Sequence, residues 1–223
     1  MIGIIVAMPK ELAGYLKLLG DIKKEVIADK EFFIGSLGAK RAVVCLSGIG
    51  KVNATIATAI MAIKYNPSLI INTGIAGGLG TLSTLDIVIA DKVCQHDMDT
   101  SPLGDPVGYI SGVDKIYFDT DKAAPEAFLS VAPNAILGTI ASGDQFIADT
   151  EKAQNIVDIF GAIGCDMEGG AVGQTAYLFG IPFISVRCIS DYADERASMS
   201  FEELAQQASN ASVAIVTQAI QLL

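Results

Sequence analysis

With 223 residues, 51% of them hydrophobic and only 18% charged, the chain is long enough to bury a substantial core and needs no covalent staple to fold. A formal net charge of −10 argues against nucleic acid or an anionic membrane surface as partner, since either needs a basic footprint, and favours a small neutral or cationic ligand. The apolar runs are five to eight residues long, short of the roughly 20 that span a bilayer.

In chain order, the start, MIGIIVAMPKE, has no basic leader and predicts a first strand over residues 2–7, hence a cytoplasmic protein without a signal peptide. A helix over 9–19 follows, with Pro9 fitting its first turn. Further strands are expected at 32–36, 42–46, 69–72, 87–90, 136–141 and 183–189, and helices at 51–65, 150–160, 167–178 and 201–222. Most of the strand-like runs are continuously apolar, as strands covered on both faces are. The alternation predicts one α/β domain over 1–223, a three-layer sandwich with a mixed, largely parallel central sheet flanked by helices. The long irregular stretch 95–127 reads as a lid or interface arm. The high apolar fraction suggests a subunit interface, and a homodimer is expected.

Three acids come to one rim of such a sheet. Glu168 opens the helix of the 167–178 pattern, Asp191 ends the strand that follows, and Glu11 lies just after the first strand. Ligands bind outside the carboxyl ends of the strands in open α/β sheets. For Glu11 the competing reading is a helix-dipole partner, since an acid in a first helical turn is ordinary. Glycine-bearing turns at 47–51, 73–78 and 142–144 reach the same rim, and none forms a Walker A or dinucleotide fingerprint. Cys45, Cys94, Cys165 and Cys188 show no C-x-x-C spacing and read as buried, reduced thiols; no acid or histidine cluster has metal-ligand spacing.

The motifs GIIVAMPKEL, SGIGKVNA, INTGIAGG, HD-x-D at His96 to Asp99, SGDQFI, DMEGGAV and VRCISDYAD followed by SFEEL span essentially the whole chain. Together they resemble the 5'-methylthioadenosine/S-adenosylhomocysteine nucleosidases of the purine nucleoside phosphorylase/uridine phosphorylase superfamily. The resemblance implies a cofactor-free hydrolase that takes a small-molecule purine nucleoside and releases adenine, with 5'-deoxyadenosine as a further candidate substrate. By position it implies that Glu11 activates water, Asp191 protonates the purine N7, Ser190 orients that acid, and Glu168 holds the ribose hydroxyls. Met8 and Met167 would pack on the sugar, Phe146 would stack on adenine, the backbone of Ile147 would read the base edge, and Ile49 and Phe201 would line the 5' pocket.

N-glycosidic hydrolysis requires such a division, because positive charge builds on the sugar while negative charge builds on the leaving base. A phosphorylase would need arginines or lysines around phosphate, and no arginine occurs between Arg41 and Arg187. A nucleoside-binding sensor without turnover would show loss of one acid. The chain departs from the family pattern at Thr100, Leu103 and Asp105, which makes the 5' pocket less aromatic, and at Ile75, where many members carry serine. For His96, the only histidine, a structural role such as a hydrogen bond with Asp97 is expected rather than catalysis.

Overall fold

The computed structural model describes residues 1–223 and places ten strands in one sheet. In chain order these are β1 (Ile2–Val6), β2 (Leu19–Ile27), β3 (Lys30–Leu37), β4 (Lys40–Leu46), β5 (Leu69–Gly78), β6 (Ile87–Gln95), β7 (Phe118–Asp119), β8 (Ile136–Ser142), β9 (Ala162–Asp166) and β10 (Phe183–Asp191). The helices are α1 (Pro9–Leu18), α2 (Lys51–Tyr65), α3 (Ala124–Val131), α4 (Thr150–Phe160), α5 (Gly169–Phe179) and α6 (Ala197–Ala219).

The sheet runs β10-β6-β8-β9-β5-β1-β4-β3-β2, and β10 also pairs with β5. Strands β5, β10, β6, β8 and β9 therefore close a ring, while β1, β4, β3 and β2 extend from it as an open wing. The sheet is mixed: β1–β4, β1–β5, β5–β10, β6–β8 and β8–β9 are parallel, and the other five pairings are antiparallel. Three of the antiparallel pairings involve β2, β7 or β9, which the hydrophobic pattern does not announce.

Two large apolar clusters cover the sheet's faces. Ala54, Ala57 and Met61 of α2 and Val172 and Ala176 of α5 pack on one side; Leu12 and Tyr15 of α1, Phe128 of α3, and Val213 and Val216 of α6 pack on the other. Full burial of each of the larger of these, the Val, Leu, Phe and Met side chains, stabilises by about 1.5–3 kcal/mol. Helix α4 closes the ring from outside through Ile156 and Phe160. Helix α5 comes unusually near β6 because it starts with glycines: a Cβ on Gly170 would lie 2.4 Å from the Cys94 carbonyl oxygen. That approach sets Glu168, the residue before the helix, against the ring.

The edge strand β2 carries Asp21, Lys23, Lys24 and Glu25 on a mostly exposed surface, which protects the edge and hides it from an apolar pattern. Residues 73–78, expected as a turn, instead continue β5 to Gly78. The stretch 95–127 holds a 3-10 turn at Ser101–Leu103, the short β7 and the start of α3.

Candidate active site

A cavity opens at the carboxyl ends of β1, β4, β8, β9 and β10, beside the end of β5. All ten residues singled out from the sequence line it: Met8, Glu11, Ile49, Phe146, Ile147, Met167, Glu168, Ser190, Asp191 and Phe201. Glu11, Glu168 and Asp191 are each at least 95% buried.

Glu11 is fixed by the backbone around it. Its Oε2 accepts from the amides of Ala7 and Met8, both at 2.9 Å, and its Oε1 accepts from the Ile75 amide at 3.2 Å. Burial nevertheless raises its pKa, against the lowering effect of the nearby Arg187 guanidinium and these amides. The helix-dipole reading is thus part of the truth: Glu11 does cap α1, and its carboxylate also reaches the cavity.

Arg187 was not among the expected site residues. It lies in the middle of β10, 1% exposed, ion-paired with Asp166 and donating also to the Asn72 side chain. Gly74 lets it approach Glu11. A Cβ on Gly74 would lie 2.2 Å from Glu11 Oε1 and 2.9 Å from Arg187 Nη1, and the backbone there has φ of +153°, a conformation that glycine adopts without strain. Asp166 in turn accepts from Ser142 Oγ and from the Gly169 amide, tying the arginine to the start of α5.

Glu168 accepts from the Gly50 amide at 2.9 Å. That loop is clamped from behind: the Lys51 amide donates to Asp144 at 2.8 Å, and Lys51 Nζ contacts Asp97 at 2.5 Å and Gln95 at 3.1 Å. Burial pushes Glu168 up to about 7, reinforced by the Asp166 charge and opposed by Arg187 and the Gly50 amide. At the far end of the cavity Asp191 accepts from Ser190 Oγ at 2.8 Å and from the Ala193 amide at 3.0 Å. Its pKa is also raised, chiefly by burial, although both hydrogen bonds pull the other way.

The remaining wall is mostly apolar. Met8, Ile75 and Phe201 pack together at the Glu11 end, and the Phe146 and Phe201 rings meet edge-on with centroids 5.7 Å apart. The Ile147 peptide N–H and carbonyl make no hydrogen bond within the chain, leaving both available to a ligand edge. Thr100, Leu103 and Asp105, expected to alter the 5' pocket, line no part of the cavity; Thr100 Oγ1 donates to Asp105 at 2.8 Å, and Leu103 is 83% exposed. His96 makes no hydrogen bond to Asp97, whose oxygens accept instead from Lys51 and from the Asp144 amide.

Residues 1–221 match the model of the phosphorylase superfamily. The 5'-methylthioadenosine/S-adenosylhomocysteine nucleosidase of Staphylococcus epidermidis is 39% identical, with both chains covered completely. Among solved structures, the nucleosidase of that name from Neisseria meningitidis, in complex with methylthio-immucillin-A, superposes with a TM-score of 0.96 at 33% identity, over 100% of this chain and 99% of its own. The futalosine hydrolase of Helicobacter pylori superposes with a TM-score of 0.95 at 32% identity, over 100% and 97%.

Proposed function

The chain belongs to the phosphorylase superfamily, among its 5'-methylthioadenosine/S-adenosylhomocysteine nucleosidases, and from that premise we propose the division of labour in its site. It hydrolyses the N-glycosidic bond of 5'-methylthioadenosine and S-adenosylhomocysteine, releasing adenine and the 5'-substituted ribose. The observation that carries the assignment of roles is the meeting of Glu11, Glu168 and Asp191 in one cavity from distant parts of the sequence.

Asp191 gives its proton to the purine N7 as the C–N bond breaks. A raised pKa keeps that proton available. The Ser190 hydroxyl supports either state of the acid: it donates to the carboxylate and, when Asp191 is protonated, turns toward the Ala76 carbonyl 3.4 Å away. Glu11 takes a proton from water as the water oxygen bonds to the sugar carbon. Its burial makes it a better base than an exposed glutamate. Glu168 accepts from the ribose hydroxyls and faces the ring as positive charge develops there, an attraction that grows toward the transition state. Phe146 stacks on the base, the Ile147 peptide reads its edge, Met8 and Met167 pack on the sugar, and Ile49 and Phe201 border the 5' substituent.

Water rather than phosphate is the nucleophile because the cations are committed elsewhere. Arg187 is held by Asp166 and Asn72, and Lys51 by Asp97 and Gln95, so no pair of free cations faces the Glu11 side of the cavity. Incubation with methylthioadenosine in phosphate-free buffer is expected to release adenine and free methylthioribose. Release that requires added phosphate would make the protein a phosphorylase, and tight nucleoside binding without release would make it a sensor.

The functional unit we infer is a cytoplasmic homodimer. Val52, Ile56 and Ile63 form an exposed apolar stripe along α2, near the exposed Leu178 of α5, more apolar surface than a lone chain keeps by chance. A thiol-reducing compartment suits four buried, unpaired cysteines. No helix is long and apolar enough to cross a membrane. Light scattering is expected to give twice the chain mass, and V52E/I63E to give the monomer. A wild-type chain that is monomeric at micromolar concentration would remove the dimer.

A further inference from the structure

Three features of Lys10 bear on the cavity. It stands in the first turn of α1, where the helix dipole disfavours a cation. It has no ion-pair partner, although the chain carries a net charge of −10 and offers 25 carboxylate side chains. And its ammonium is seated over the ring of Phe201, 4.7 Å from the centroid. Its neighbours say what lies beneath it. Phe201, which borders the 5' substituent in the reading above, packs with Met8 and Ile75 at the Glu11 end of the cavity. The adjacent acid, Glu11, turns its carboxylate inward to the amides of Ala7, Met8 and Ile75, and so does not neutralise the lysine. Lys10 itself does not line the cavity. A cation without an ion-pair partner thus stands on the ring of a residue that lines the cavity.

We propose that Lys10 is a specificity-determining residue, favouring nucleosides whose 5' substituent extends past the apolar pocket and ends in a carboxylate. A methylthio group ends within the apolar section and leaves Lys10 in solvent. The amino acid tail of S-adenosylhomocysteine continues outward and carries such a carboxylate. Because the lysine is partly exposed, its pairing with a ligand carboxylate is worth a few-fold in affinity and is weakened by salt. Phe201 contributes by restricting where the ammonium can stand, so less side-chain freedom is lost when the tail arrives. The inference rests on the nucleosidase reading and adds a preference within it.

The test separates charge from length by using two adenosines with tails of similar size, 5'-(2-carboxyethylthio) and 5'-propylthio. The ratio of their kcat/KM values is measured for the wild type, K10Q and K10E. The expected result is a ratio about threefold to fivefold lower in K10Q and lower again in K10E, carried by KM of the carboxylate substrate, with the propylthio substrate unchanged. In the wild type the ratio also falls as ionic strength rises from about 10 mM to about 150 mM. Equal losses on both substrates, or a ratio that the variants do not move, overturn the proposal while leaving the nucleosidase reading intact. Absence of adenine release from either substrate by the wild type overturns both.

Discussion

Asp191→Asn is expected to lower kcat by about two to four orders of magnitude while leaving the affinity for a nucleoside nearly unchanged. The amide reproduces every local contact of the acid. Its oxygen accepts from the Ala193 amide, its NH2 donates to Ser190 Oγ, and the serine hydrogen turns to the Ala76 carbonyl. The NH2 also donates to the purine N7, which preserves binding of the base. What it cannot do is transfer a proton, so the leaving adenine must depart as an anion. Single-turnover rates together with the Kd of a non-hydrolysable nucleoside distinguish the two effects. Turnover within a few-fold of wild type would remove Asp191 from the reaction, and loss of binding along with rate would make it a structural group.

Gly74→Ala is expected to be nearly as severe, although Gly74 carries no chemistry. The added methyl would collide with Glu11 Oε1 and Arg187 Nη1 and would have to adopt a backbone conformation that L side chains rarely take. Arg187 is held by Asp166 and Asn72 on its other side, so the carboxylate of Glu11 is the group that yields. Displacing a water-activating base by about 1 Å costs on the order of a hundredfold in rate. Binding of free adenine, for which the proposed partners are Asp191 and Ile147, should change little. The measurement is kcat, the adenine Kd and the thermal midpoint on one preparation. A folded variant with wild-type turnover would show that the packing of Gly74 against the acid does not matter.

The parts of the architecture legible in the sequence share one property, burial on both faces. Strands β1, β5 and β10 are nearly all buried, as is the central run of β4, and they read as apolar runs, so their existence was accessible. Strand β2 is an edge whose charges keep it soluble, and β9 is five residues with a central glycine, so neither announces itself. The ring closure through β5 and β10 depends on pairing between distant strands, which periodicity does not encode.

In the site, the residues that touch the cavity were found because they belong to motifs that occur together. Arg187 was missed for a physical reason: a guanidinium fully paired with Asp166 and Asn72 is tolerated inside a strand that otherwise looks purely hydrophobic. Asp166 could have been suspected, as a buried acid immediately before Met167 and Glu168 that had no assigned task. Asp97 accepts from Lys51, forty-six positions earlier, and from the Asp144 amide rather than from His96, contacts that local spacing does not encode.

The contacts that hold the site together also set when it can form. Arg187 meets Asn72 across 115 residues, and Glu168 meets the Gly50 amide across 118. Such contacts incur the entropy of closing long loops before they return any stabilisation. A nascent chain therefore has no partial site to protect. Without the pairing of β10 with β5, Arg187 lacks Asn72 as a partner and does not stand beside Glu11, so the site is complete only once the strand ring has closed.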